Sequence, residues 1–190
     1  MSRIPQNYCS ACGEKLVRRV PEGDNRERAL CEHCGTIHYV NPNNVCGAIL
    51  TWRGRVLLCK RAIEPRYGLW TLPAGFMENG ETVAEAAARE SMEEANARAE
   101  SLRLFGLFSL PHISQVYIMF RGELASPEVS PGIESLETEL VDPADIPWDQ
   151  LAFPVVRKSL QLFLERPDFE GVHNATAIRH EDGRFEWLDN

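Results

Sequence analysis

The sequence predicts an α/β domain preceded by a small segment folded around a metal ion, and three observations predict it. Short apolar runs of strand character stand on both sides of one alanine-rich helical stretch. A second stretch with apolar residues at helical spacing follows towards the C-terminal end. Four of the six cysteines form two C-x2-C pairs near the N-terminus. With 190 residues, 44% of them hydrophobic and 25% charged, the chain has the make-up of an ordinary globular protein, long enough for one full domain and a small appendage. The expected segments are 1–40 for the metal-held unit, 41–170 for the main domain and 171–190 for a charged tail.

The metal-held unit rests on Cys9 and Cys12, then Cys31 and Cys34, with Gly13 and Gly35 directly after each pair. Glycine there permits the tight turn that points two thiolates at one ion. Four thiolates complete a tetrahedron around Zn2+ and leave no position for water, so the predicted site is structural. A segment this short has too small a core to fold unaided, and zinc supplies the deficit. His33, between two of the ligands, reads as an exposed turn residue. The stretch RRVPEGDNRERAL offers a hairpin at most. Arg18, Arg19, Arg26 and Arg28 are offset by Glu14, Glu22, Asp24, Glu27 and Glu32, so no basic patch stands out.

In the main domain, Val45 to Thr51 and Val56 to Arg61 read as a hairpin around a turn at Trp52 to Arg55,. Cys46 and Cys59 fall in its arms without ligand spacing and are expected to be buried as small apolar residues. Tyr67 to Trp70 leads to a glycine turn at Gly75 and then to the helix. Thr82 and Glu85 have the spacing of a capping box, in which hydroxyl and carboxylate each satisfy the other residue's backbone amide. At about 100° per residue, Ala84, Ala88, Met92 and Ala95 share one side, expected to face the core, and Glu90, Glu93 and Glu94 share the other. Three like charges at this spacing repel by about 0.2–0.5 kcal/mol per pair even when exposed. A cation is expected to offset them, and oxygen-only donors select Mg2+ or Mn2+ over zinc.

Beyond the helix, Leu102 to Leu110 and Gln115 to Gly122 read as strands joined through Pro111 to Ser114, with His112 in the connection. Ser126 to Ser135 reads as a loop ahead of a strand at Glu139, and Val155 to Leu164 as a helix packed on the sheet,. Tyr67, Trp70, Phe76, Trp148 and Phe153 are the aromatic candidates for lining a pocket or stacking on a base, packing in the core being the other role open to them.

The spacing Gly75-x5-Glu81-x7-Arg89-Glu90-x2-Glu93-Glu94, led in by Leu72-Pro73-Ala74, resembles the signature of the Nudix hydrolases. That resemblance implies an α/β/α sandwich with a mixed sheet that hydrolyses a nucleoside diphosphate linked to another moiety, with Mg2+ or Mn2+. It further implies that Glu90, Glu93 and Glu94 hold the metals, that the Gly75 carbonyl adds a ligand, and that Glu81 pairs with Arg89 to fix the loop. Glu134, with Glu137 second, matches the position of a further metal-reaching glutamate. Two positions depart from the pattern, Asn96 for glycine and Ser91 for an aliphatic residue. Asparagine tolerates the left-handed conformation that a helix-ending glycine supplies.

A ribbon before such a domain resembles the NADH pyrophosphatase type, but the motif S-Q-P-W-P-F-P-x-S of that type is replaced here by SLPHISQ. The ribbon, PHISQVYIMF, Glu134-Ser-Leu-Glu137 and Ile146 to Pro154 look more like the enzymes acting on ADP-ribose and FAD. Expected chemistry is water attack on a diphosphate bridge to give AMP and a phosphorylated product, with Glu93 or Glu134 as the base and His112 as a substrate or catalytic candidate. NADH or NAD-cap cleavage, and a non-catalytic module binding an ADP-ribose-type ligand, are the alternatives. A net charge of −8 speaks against a nucleic-acid partner. With no bilayer-length apolar run and no signal-like N-terminus, a cytoplasmic protein without membrane contact is expected, as a homodimer.

Overall fold

The computed structural model describes residues 6–189. The chain divides into two compact units, Met1–Pro42 and Asn43–Asn190. In the first, β1 (Val17–Arg19), β2 (Arg28–Leu30) and β3 (Ile37–His38) form an antiparallel sheet in the order β1-β2-β3. The polar stretch between the cysteine pairs is thus the expected hairpin. The buried core of this unit is Cys9, Leu16, Ala29 and Cys31, so half of its core residues are the thiols themselves.

The second unit contains β4 (Asn43–Trp52), β5 (Arg55–Arg61), β6 (Trp70–Thr71), β7 (Ala74–Phe76), α1 (Val83–Ala95), β8 (Ala99–Leu110), β9 (Gln115–Leu124), β10 (Ser135–Val141), α2 (Pro154–Glu165), β11 (His173–Arg179) and β12 (Phe185–Asp189). Among the described residues these strands make a nine-stranded mixed sheet, seven of them ordered β10-β5-β4-β9-β8-β11-β12, with β6 and β7 off this path. β4 runs parallel to β9 and β11 parallel to β8, while the remaining pairs are antiparallel.

β4 and β5 pair only near their turn, at Thr51 with Val56 and Trp52 with Arg55. Beyond it they part, β7 pairing with β4 and β6 with β5, so that Leu72 to Gly75 descends between them. This split delivers the glycine turn to the sheet interior. It requires glycine at position 47, where a Cβ would stand 2.4 Å from the Ala74 Cβ and 2.6 Å from the Pro73 carbonyl oxygen.

The strand period of two sends alternate residues to two cores. Cys46, Ala48, Leu50, Leu57 and Cys59 pack with Ala86, Ala87 and Ala95 of α1. Ile49, Val56 and Leu58 pack on the other side with Val155, Val156 and Leu160 of α2. The result is the expected α/β/α sandwich. Leu160 is fully buried, and truncating such a residue to alanine costs about 2–5 kcal/mol. Cys46 and Cys59 are buried as expected, and burial raises both thiols, Cys46 to about 11. Segment 171–190, read above as a tail, instead supplies the two strands β11 and β12, with Ala175 and Ala177 in the core. Among the described residues no helix is long and apolar enough to cross a membrane.

Candidate active site and metal centres

In the first unit the four sulfur atoms of Cys9, Cys12, Cys31 and Cys34 lie within 4.8 Å of one another. Each pair is turned by a glycine with positive φ, 82° at Gly13 and 75° at Gly35. The Gly13 amide donates to the Cys9 carbonyl and the Gly35 amide to the Cys31 carbonyl, both at 2.8 Å. Thr36 donates its hydroxyl to the Cys34 sulfur at 3.1 Å, which lowers that thiol to about 6 and favours the thiolate a zinc ion needs. Four convergent thiols suit a closed structural Zn2+ site,. His33 is exposed, as expected. The histidine beside the cluster is His38, whose Nε2 is 3.4 Å from the Cys9 sulfur; it is placed there by β3, a strand too short to be seen in the sequence pattern.

In the second unit the capping box forms as expected. Glu85 donates its amide to the Thr82 hydroxyl at 3.2 Å, and Thr82 donates its amide to the Glu85 carboxylate at 2.8 Å. Asn96 ends the helix in the left-handed conformation, φ 47°, as its replacement of glycine requires. The expected division of faces is corrected. Ala86, Ala87, Glu90, Ser91, Glu94 and Ala95 are the buried residues of α1, and Met92 is exposed. Two of the three acids therefore lie on the core side, and only Glu93 faces outward. The wheel failed because α1 packs against β7, whose backbone is polar: the Ala74 amide donates to Glu94 Oε2 at 3.3 Å. Ser91 is fully buried and returns its hydroxyl to the Ala87 carbonyl at 2.7 Å.

Arg89 organises the outer side of this cluster. Its guanidinium bonds both oxygens of Glu81, at 3.0 and 2.8 Å, and reaches Glu90 at 2.7 Å, Glu93 at 3.0 Å and the Phe76 carbonyl at 3.1 Å. The pairing with Arg89 lowers Glu81 to about 2. Glu90 and Glu94 are shifted the opposite way. Burial raises Glu90, and burial together with the Glu90 charge raises Glu94 to about 8. Gly75 lies so close to Glu90 that a Cβ would meet its carboxylate at 2.3 Å. Two largely buried carboxylates of like charge, set against a glycine main chain with Arg89 bonded to only one of them, suit a hard divalent cation,.

Glu134 is exposed, and its charge adds to the upward shift of both Glu90 and Glu94. Glu137 is engaged by Lys60 at 2.8 Å instead. The acids are not drawn together as the thiols are; among the described residues the four cysteines are the one group with three or more ligand atoms in such close range.

The aromatic candidates separate. Phe76 is 55% exposed, while Trp70 is buried and borders an open groove of about 420 Å3 with Ser130, Pro131 and Thr138. Phe153, half-buried at the start of α2, lies under the Arg61 guanidinium, 5.0 Å from the ring centroid. Tyr67 is exposed, and Trp148 is half-buried beneath Arg157. His112 is exposed and packs at a tilt against Phe185 of β12, ring centroids 5.3 Å apart.

Arg61 itself was not picked out from the sequence. It ends β5, donates Nε to the Pro65 carbonyl at 2.9 Å, and its charge acts on both Glu94 and Tyr117. Its position at the end of an apolar strand, next to Lys60, was the available signal.

Residues 40–163 match the NUDIX domain model, and residues 7–40 match that of the Nudix N-terminal zinc ribbon. The chain belongs to the Nudix hydrolase family. One structure similar to this Nudix chain is that of a NUDIX hydrolase from Nitrosomonas europaea, 49% identical, with a TM-score of 0.86, covering 90% of this chain and 98% of that one. An NAD-capped RNA hydrolase NudC from Pectobacterium carotovorum is 30% identical over 146 residues, 76% of this chain and 52% of its own length. An ADP-ribose pyrophosphatase from Methanocaldococcus jannaschii is 33% identical over 121 residues, 60% of this chain and 69% of its own. This Nudix chain spans about half the length of the NAD-cap hydrolases it matches.

Proposed function

We propose that this Nudix protein hydrolyses the diphosphate bridge of a nucleoside diphosphate derivative, ADP-ribose or FAD in the first place, with Mg2+ or Mn2+ at the acidic end of α1. The observation that carries the reading is the pair of buried carboxylates, Glu90 and Glu94, with Glu94 raised to about 8 and Gly75 against Glu90. Glu90, Glu94, the Gly75 carbonyl and, from the loop, Glu134 are the residues that would hold the ion. When bound, it supplies charge neutralisation at the bridge and acidifies water.

The chain's own residues do the rest. Arg89 keeps Glu90 and Glu93 oriented, and Glu81 keeps Arg89 in place. Arg61, near Glu94, offers a guanidinium to an anionic substrate on a protein that is otherwise acidic,. Water adds to one phosphorus and the bond from that phosphorus to the bridging oxygen breaks. The oxygen departs with the second phosphate, and Glu93 or Glu134 takes the proton. Phe76, exposed beside the site, and Phe153 are the surfaces for a base to stack on,.

Cleavage of NADH or of an NAD cap is the second reading, favoured by the names that several of this chain's relatives carry. The deciding experiment is AMP release from ADP-ribose, FAD, NADH, NAD-capped RNA and nucleoside triphosphates with Mg2+ or Mn2+, with Glu94→Gln alongside. Preferential cleavage of ADP-ribose or FAD, lost in the variant, is the expected result. Preferential cleavage of NADH or capped RNA moves the assignment to the second reading. Ligand-induced melting shifts without cleavage would replace both with a binding module.

A further inference from the structure

We propose that Asn96 is a positioning residue whose side-chain amide clamps loop 129–134 onto the end of α1, and so holds Glu134 beside Glu90 and Glu94. This rests on the hydrolytic reading above. A helix leaves its last four carbonyls without intrahelical partners, and α1 has no basic residue in its last turn to meet them. The loop meets two of them instead. Gly132 donates its amide to the Glu94 carbonyl and Ser130 to the Ala95 carbonyl, each at 3.0 Å. The approach is so close that a Cβ on Gly132 would stand 1.6 Å from the Glu93 carbonyl oxygen, so the loop backbone lies directly on the helix end that carries the acids.

At position 96 the left-handed backbone alone would be served with less strain by glycine. The amide side chain is what distinguishes asparagine. It donates to the Ser130 carbonyl at 3.1 Å, the Ser130 hydroxyl at 3.1 Å and the Pro131 carbonyl at 3.4 Å. Two residues beyond Gly132, the Glu134 carbonyl accepts the Ala62 amide at 2.8 Å. The loop is thus tied to α1 at one end and to the chain after β5 at the other. Glu134 sits at the second of those ties, and its charge acts on Glu90 and Glu94.

The test is Asn96→Gly, which keeps the left-handed turn and removes only the amide, made in the wild-type and in the Glu134→Gln background. In the wild-type background kcat is expected to fall about tenfold or more, as misplacement of a working group does, with Tm held within about 3 °C. In the Glu134→Gln background the same substitution should have no further effect. Equal losses in both backgrounds, or no loss in either, would overturn the proposal.

Hydrogen exchange gives a readout independent of turnover: the amides of Ser130 and Gly132 should exchange faster in Asn96→Gly than in the wild type. If the wild-type protein cleaves none of the substrates yet exchange rises in the variant, the clamp stands and the hydrolytic reading fails. Unchanged exchange removes the clamp whatever the activity.

Discussion

The two candidate metal centres are built on opposite physical principles. In the first unit four thiols converge to within 4.8 Å, and two of them make up half of a four-residue core. In the second unit the acids of α1 repel one another, and an arginine holds two of them, Glu90 and Glu93, in place. A centre that closes around its ion supplies folding energy to a segment that has little else. A centre that is strained without a cation spends stability from the surrounding fold, which is the arrangement expected where the ion is needed for chemistry.

The largest effect that would break this contrast is on the first unit. Cys31→Ser, or zinc removal by a strong chelator, should unfold residues 6–42 while the α/β domain keeps its resonances and its thermal transition. Structural zinc contributes about 10–16 kcal/mol of apparent binding energy in small domains of this kind. Survival of the first unit's amide resonances in the variant would show that the thiols are not what folds it.

Next comes Arg89→Lys. A point charge cannot span Glu81, Glu90, Glu93 and the Phe76 carbonyl as the guanidinium does,. Stability should fall by about 2 kcal/mol, measured by urea unfolding, with activity falling as well. An unchanged midpoint would mean the acids hold their positions without it.

A smaller effect of opposite sign is expected for Glu94→Gln in metal-free buffer. Glu94 titrates near 4.5 when unfolded and is raised to about 8 when folded, so its contribution is fully present below about pH 4.5 and is lost as pH rises towards 8. Glutamine removes that loss, and at pH 8 the variant should be more stable than wild type, read as a higher urea midpoint. A thiol exchanged for serine destabilises, and an acid exchanged for its amide stabilises; equal signs would erase the distinction between the centres.

The smallest effect lies away from both. His173 is buried between Phe105 and Phe169, its Nε2 without a partner among the described residues, and burial and then Arg166 lower its pKa. Folding keeps it neutral, so stability is full above the unfolded value of about 6.5 and declines as pH falls through the depressed folded value. His173→Leu should flatten that acid-side decline, read from Tm against pH.

Local chemistry was readable where neighbours in sequence are neighbours in space. The capping box of Thr82 and Glu85, the left-handed Asn96 and the paired cysteines each depend on residues a few positions apart, and all formed as expected. Arg61 was missed because its significance comes from Glu94, Tyr117 and Phe153, all remote in the chain. The strand at His173–Arg179 was missed because its inward residues are His173, Ala175 and Ala177, whose small or polar side chains give a weak alternating signal, and that at Phe185–Asp189 because its two inward aromatics, Phe185 and Trp187, stand in a short, charged stretch.

The sequence by itself determined the donors and their order: thiols that converge through glycine turns, and carboxylates one helical turn apart behind Gly75. Only the tertiary structure decided which of those carboxylates are buried, since that depends on what the helix packs against. A polar backbone turn, dropped between β4 and β5, faces α1 and lets Glu90 and Glu94 lie where periodicity alone would place only apolar side chains.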